Sequence, residues 1–186
     1  MNETHNPWQA LAEKNIYDNP WINVTEYDVI NPSGGKGIYG KVHFKNAALA
    51  IIPLDENLNT YLVGQYRFVL NQYSWEVPEG GGPLNSDMLA AAQRELKEET
   101  GLVAAEWTKF MDVHLSNSVS DEAGTIFLAR KLTQGEAIPE ETEQLIVRKV
   151  PFEEAYKMVE DGTITDSMSM VGILKIKVLL LTGKLS

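Results

Sequence analysis

The sequence predicts an α/β fold: a mixed sheet with helices packed against it, preceded by an N-terminal extension of antiparallel strands. Three observations predict it. The 186 residues and 20.7 kDa suit one domain with a modest extension. Hydrophobic residues at 44% and charged residues at 23% are globular values, which excludes a disordered chain, a collagen and a coiled coil. Strand-like and helix-like segments follow in the order strands, helix, strands, two helices, which is not a simple βαβ alternation.

Residues 1–20 are polar, with Pro7, Trp8 and Pro20 interspersed and Trp21 following, and read as an arm that packs on something. Stretches rich in β-branched and aromatic residues predict strands at Trp21–Ile30, Gly37–Phe44, Ala47–Pro53 and Thr60–Val69. Asn31-Pro-Ser-Gly-Gly and Asp55-Glu-Asn-Leu-Asn mark the turns between them. Ala47–Pro53 is continuously apolar, as suits a strand buried on both faces. Gly80-Gly-Gly reads as a glycine-rich turn. Ser86–Thr100 then has helical periodicity, with Leu89, Ala92 or Gln93, and Leu96 on one face. Asn85, Ser86 or Asp87 can cap its start, and Gly101 ends it. Further strands are expected at Glu106–Val113, Gly124–Lys131 and Ile146–Val150, and a short helix at Phe152–Glu160, stopped by Gly162. A last helix starts at Asp166 as its cap, carries Met168, Val171, Leu174 and Val178, and stops before Gly183.

Charge and composition narrow the partners. Lys+Arg 16 against Asp+Glu 26 gives a net charge of −10, without the basic footprint of a nucleic-acid reader. An acidic protein that binds an anion needs metal cations or a few well-placed Arg and Lys. Cysteine is absent, so disulfides, thiolate metal sites and thiol nucleophiles are excluded. The longest apolar runs, around Val178–Leu181 and Ala47–Pro53, fall far short of the roughly 20 residues that span a bilayer. The N-terminus lacks the basic start and apolar core of a signal peptide. The expectation is a cytoplasmic protein with no nucleic-acid or membrane partner.

The chemistry is concentrated in one acidic helix. Glu95 and Glu99, at i, i+4, project from one face about 6 Å apart along the axis. Glu98 is their neighbour. Like charges at these spacings repel by a few tenths of a kcal/mol, and the helix C-terminus disfavours anions. Glu-rich runs also occur on solvated helix faces, but three carboxylates used together form an oxygen cluster for a hard cation such as Mg²⁺ or Mn²⁺. Arg94 is placed to fix a carboxylate with its planar fork.

The whole pattern decides between these readings. Gly80 lies fourteen residues before Arg94, and Gly101-Leu102 follows the glutamates. The segment resembles the Nudix box, G-x5-E-x7-R-E-U-x-E-E-x-G-U with U apolar, through Gly80, Arg94, Glu95, Leu96, Glu98, Glu99, Gly101 and Leu102. One position departs: Ser86 stands where the box has Glu, and could act as an N-cap instead. The resemblance implies an α/β/α sandwich. It extends over most of residues 21–181. Val63-Gly-Gln-Tyr-Arg-Phe and Trp75-Glu-Val-Pro-Glu-Gly-Gly are similar to the ADP-ribose pyrophosphatase and nucleoside-diphosphate-sugar hydrolase branch. This divides the chain into an N-terminal dimerisation segment, 1–45, and a catalytic domain, 46–186.

The resemblance implies hydrolysis of the pyrophosphate bond of a nucleoside diphosphate sugar, ADP-ribose foremost, with two or three Mg²⁺ or Mn²⁺ ions per site. GDP-mannose and an NADH-type dinucleotide remain alternative substrates, and a non-catalytic nucleotide-sugar-binding regulator a different class. Glu95 and Glu99 are expected to ligate metal, with the main-chain carbonyl of Glu79 as a third contact and Glu143 as a further ligand. Arg94 is expected to pair with Glu98. Glu141 of Glu141-Thr-Glu143 is the expected general base, with Glu140 one register away. Arg67 is expected at the substrate phosphates, with Glu76, Gly80 and Gly81 nearby. Ser118, Ser120 and Glu122, in the polar loop Leu115–Glu122, are expected to line the substrate pocket. The histidines His5, His43 and His114 show no ligand spacing. A homodimer is expected, in which residues about 8–45 complete the partner's pocket.

Overall fold

In the computed structural model, which describes residues 5–137 and 144–185, the chain forms β1 (Gln9–Asp18), β2 (Ile22–Ile30), β3 (Lys36–Phe44), β4 (Asn46–Pro53), β5 (Asn59–Arg67), β6 (Gln72–Glu76), β7 (Glu79–Pro83), α1 (Met88–Thr100), β8 (Leu102–His114), β9 (Ala123–Gln134), β10 (Ile146–Pro151), α2 (Phe152–Glu160) and α3 (Ser167–Leu181). The apolar run in β4 is the centre of the fold. β4 pairs antiparallel with β7 and parallel with β9, in a mixed sheet of order β7-β4-β9-β8. Its side chains alternate between two cores, as strand geometry requires. Leu49 and Ile51 pack with Ala92 and Leu96 of α1, Leu102 and Phe127. Ala50 and Ile52 pack with Leu62, Phe152, Ile173 and Ile176 on the other face. That second core is shared by α2, α3 and an antiparallel sheet of order β10-β5-β6. The result is the expected α/β/α sandwich. β1-β2-β3 form a separate antiparallel sheet.

Several local expectations are corrected. Residues 9–18 are not an arm but strand β1, in register with β2 from Gln9↔Ile30 to Asp18↔Asn23. All ten of its residues are exposed, so backbone pairing rather than burial makes the strand, and no apolar alternation announces it. Gly80-Gly81-Gly82 lie in β7 rather than in a turn, despite the low strand propensity of glycine and proline. Pairing from Ala50↔Glu79 to Asn46↔Pro83 holds this edge strand. β8 starts directly after Gly101, which ends α1 in the left-handed conformation at φ 74°. Of the three capping candidates it is Asp87, rather than Asn85 or Ser86, that caps α1, accepting hydrogen bonds from the Leu89 and Ala90 N–H groups, and Leu89 itself is exposed rather than on the buried face of Ala92 and Leu96. On α3, Leu174 and Val178 face outward, while Met168, Ser169, Gly172, Ile173 and Ile176 are buried. Gly172 sets that face: a Cβ there would lie 2.7 Å from Ile52 Cδ1, so the helix meets β4 along its glycine side.

The β4–β5 turn is held by Asp55. Its Oδ1 accepts from the N–H groups of Asn57 (2.9 Å) and Asn59 (2.8 Å), and its Oδ2 pairs with Lys149 at 2.8 Å. Burial works against the charge, but these bonds prevail and hold its pKa down at about 2. A folded-state pKa below the unfolded one stabilises the protein above about pH 4, and the effect is lost as pH falls toward 2. Asp55→Asn is therefore expected to cost about 2 kcal/mol at pH 7 in urea unfolding, with the gap to the parent shrinking below pH 4. A gap that does not change with pH would show that the charge contributes nothing.

Candidate active site

Strand β7 runs along α1, and the two elements build the acidic site together. The Glu79 N–H donates to Glu99 Oε2 at 3.1 Å, and the Gly81 N–H to Glu95 Oε1 at 3.4 Å. Gly80 lies between these contacts. A Cβ at Gly80 would fall 2.2 Å from the Glu95 carboxyl carbon, so the missing side chain is the space that this carboxylate occupies. Arg94 forks across the helix: Nη1 donates to Glu98 Oε2 at 2.5 Å and Nη2 to Glu95 Oε1 at 2.6 Å. Nη2 also reaches the Gly81 carbonyl at 3.3 Å. The Arg94–Glu98 pairing read from the sequence is thus present. Burial raises the Glu95 pKa, against the opposing pull of Arg94. Glu99 is buried.

A second network adjoins the first through Glu79. Arg67 holds the Glu76 carboxylate through Nε, at 3.0 and 3.1 Å, and through Nη2. Glu76 is buried beneath it, while Arg67 is 39% exposed. Glu79 Oε2 lies 4.0 Å from the same guanidinium. Burial pushes the Glu79 carboxyl well above the usual range, and the neighbouring Asp166 carboxylate pushes it further. For Asp166, burial is outweighed by hydrogen bonds from Glu79 and from Ser169, and its pKa is lowered. Ser169 Oγ donates to Glu79 Oε1 at 3.1 Å and accepts from the Val77 N–H at 3.0 Å. A cavity of 570 Å³ opens beside this network, lined by Arg67, Glu76 and Asp166 together with Ser74, Thr165 and Ser167.

Ser118 and Ser120 lie elsewhere, on a cavity of 370 Å³ between their loop and the N-terminal sheet. Trp8, Tyr27 and Tyr39 form its aromatic wall, with the Trp8 and Tyr39 rings edge to face at 5.2 Å. The loop is strapped to β3 of its own chain. Tyr39 Oη donates to the Ser118 carbonyl at 2.7 Å, and Asp121 meets Lys41, His43 and the Phe44 N–H. Burial works against the Asp121 charge, but these partners hold its pKa at about 2. Burial raises the pKa of Glu122, just before β9. Glu140, Glu141 and Glu143 lie outside the described residues.

The structure therefore gathers Arg94, Glu95, Glu98, Glu99, Gly80 and Gly81, joins Arg67, Glu76 and Glu79 to them, and leaves Ser118 and Ser120 at a separate cavity. Sequence reasoning saw Asp166 only as a helix cap and did not single out Ser169 or Asp121. Among the described residues, no group of three His, Asp or Glu side chains could hold a metal ion by itself. The donor chemistry nevertheless fits a hard divalent cation. Glu95, Glu99 and the Glu79 carbonyl offer oxygen alone, from carboxylates already oriented by backbone N–H groups.

Comparison with known proteins gives the family. Residues 44–167 match the NUDIX domain. The chain belongs to the Nudix family. Residues 8–42 match the nucleoside diphosphate sugar hydrolase N-terminal domain. This Nudix protein is 32% identical over 157 residues to the ADP-ribose pyrophosphatase of Mycobacterium tuberculosis, covering 80% of this chain and 73% of that one. It is 29% identical over 167 residues to the ADP-ribose pyrophosphatase of Bacillus subtilis, covering 89% and 90%. The crystal structure of an ADP compounds hydrolase shares the fold, with a TM-score of 0.85 at 19% identity over 98% of this chain and 100% of the other. Among the described residues, no helix is long and apolar enough to cross a membrane.

Proposed function

We propose that this Nudix protein hydrolyses the pyrophosphate bond of a nucleoside diphosphate sugar, ADP-ribose foremost, to a nucleoside monophosphate and a sugar phosphate. The observation that carries the reading is the pair Glu95 and Glu99, held by backbone N–H groups of β7 within the NUDIX match. The two relatives named ADP-ribose pyrophosphatase support the substrate class.

Glu95, Glu99 and the Glu79 carbonyl would hold Mg²⁺ or Mn²⁺, with Glu143 as a further ligand and two or three ions per site. Bound there, the ions neutralise pyrophosphate charge and supply Lewis acidity. Arg94 keeps Glu95 and Glu98 in one arrangement. Arg67, clamped from behind by Glu76, keeps part of its guanidinium exposed on the 570 Å³ cavity, where it suits a phosphate oxygen. Gly80 serves the site by leaving room for the Glu95 carboxylate, and Gly81 by donating its N–H to it, rather than by opening the main chain to a phosphate. Glu141 takes the proton of the attacking water. Ser118 and Ser120, beside Trp8 and Tyr39, receive the nucleoside end. A cytoplasmic location suits a chain without cysteine. The test is nucleoside monophosphate release from a panel of nucleotide sugars with Mg²⁺. ADP-ribose should lead the panel, and turnover of none of them would reject the reading.

The reading includes a homodimer. The N-terminal sheet leaves Leu11, Ile16, Tyr17, Trp21 and Ile38 exposed, Trp21 by 66% and Ile38 by 68%, and a second copy would cover them. Light scattering at micromolar concentration should give twice 20.7 kDa. A fully active species of 20.7 kDa would reject the dimer.

A further inference from the structure

α1 and α3 lie on opposite faces of the central sheet, yet one buried hydroxyl in α3 connects with the carboxylates of α1. Ser169 has no exposed surface. Its Oγ accepts from the Val77 N–H and donates to the Glu79 side chain, so it grips both ends of the segment Val77-Pro78-Glu79. Between them the Pro78 carbonyl accepts from the Ile51 N–H of β4 at 2.8 Å. The far side of this segment is what orients the acidic site: the Glu79 N–H donates to Glu99, and the next contact along, from Gly81, goes to Glu95. Asp166 caps α3 by accepting from the Ser169 N–H at 2.8 Å, which fixes the turn that carries Ser169.

We propose that Ser169 is a positioning residue for the metal-binding carboxylates. It acts through the 77–79 main chain, and the proposal rests on the metal assignment made above. A hydroxyl is required because one atom must accept and donate at once. Val77 is buried, so its N–H must find an acceptor inside the protein. Without Ser169 the segment can shift to satisfy Val77 and Glu79 elsewhere, and the N–H groups that aim Glu99 and Glu95 shift with it. Partners that orient metal ligands from behind typically change metal affinity by about 10–100-fold.

The test is Mn²⁺ binding to the full-length, substrate-free protein, followed by the electron paramagnetic resonance of free Mn²⁺. Ser169→Ala should weaken binding about tenfold or more. Ser169→Thr, which keeps the donor and acceptor, should restore it. Ile173→Ala, a buried change on the same helix away from the segment, should lower the melting temperature and leave Mn²⁺ affinity unchanged. Parent-like Mn²⁺ affinity in Ser169→Ala would overturn the proposal, as would an equal loss in Ile173→Ala. If Ser169→Ala does not fold, Ser169→Cys, which keeps the approximate volume with weaker hydrogen bonding, must still weaken Mn²⁺ binding for the proposal to stand. Absence of Mn²⁺ binding by the parent protein would instead overturn the metal assignment itself.

Discussion

Replacing Glu99 by Gln is expected to lower ADP-ribose turnover by about 10²–10³-fold, the scale of removing one preorganised charge-stabilising group, with the fold intact. Glu99 is buried near the C-terminal end of α1, and its Oε2 accepts from the Glu79 N–H. A Gln oxygen accepts the same bond, so stability should change little, whereas the negative charge needed to hold a divalent cation is gone. The expected loss thus separates charge from shape. Unimpaired turnover by Glu99→Gln, or full activity of the parent protein in excess chelator, would remove Glu99 from the metal site. Circular dichroism and thermal unfolding of the variant check that the loss is not unfolding.

The second large effect is expected at Glu141. Glu141→Gln should lower kcat by about 10²–10⁴-fold and KM far less, because a general base acts in the transition state rather than in substrate binding. Glu140→Gln is the comparison. A kcat loss confined to Glu140→Gln would move the base by one residue, and normal kcat in both variants would place the base outside this acidic segment.

The sequence showed the fold where a residue's side chain explains its position. The β4 run is apolar on both sides because two cores meet it, and α1 shows its Gly101 end and its Ala92 and Leu96 face, although Leu89 of the same stripe is exposed and three neighbours compete as N-cap. β1 and β7 were missed for the opposite reason. Their backbone pairing carries them, and exposed polar residues or three glycines leave no periodicity to read. α3 is apolar almost all round, so a stripe could be drawn on several faces. Only the close approach at Gly172 selects the buried one. At the site, the box residues are neighbours on one helix and therefore legible. The network of Arg67, Glu79, Asp166 and Ser169 is drawn from β5, β7 and the start of α3, and no short spacing in the chain connects these three elements. Glu79 is the clearest case. Its main chain is legible beside Gly80, while its side chain turns toward Ser169 of α3, and burial there pushes its pKa well above the usual range.

The central claim is metal-dependent cleavage of a pyrophosphate bond, and the most direct measurement is product analysis after incubation with ADP-ribose. With Mg²⁺ present, chromatography and mass spectrometry should show AMP and ribose 5-phosphate in equal amounts, and excess chelator should stop their formation. An ADP-ribose pool left intact with Mg²⁺ or Mn²⁺, or equal product formation in chelator, would contradict the account.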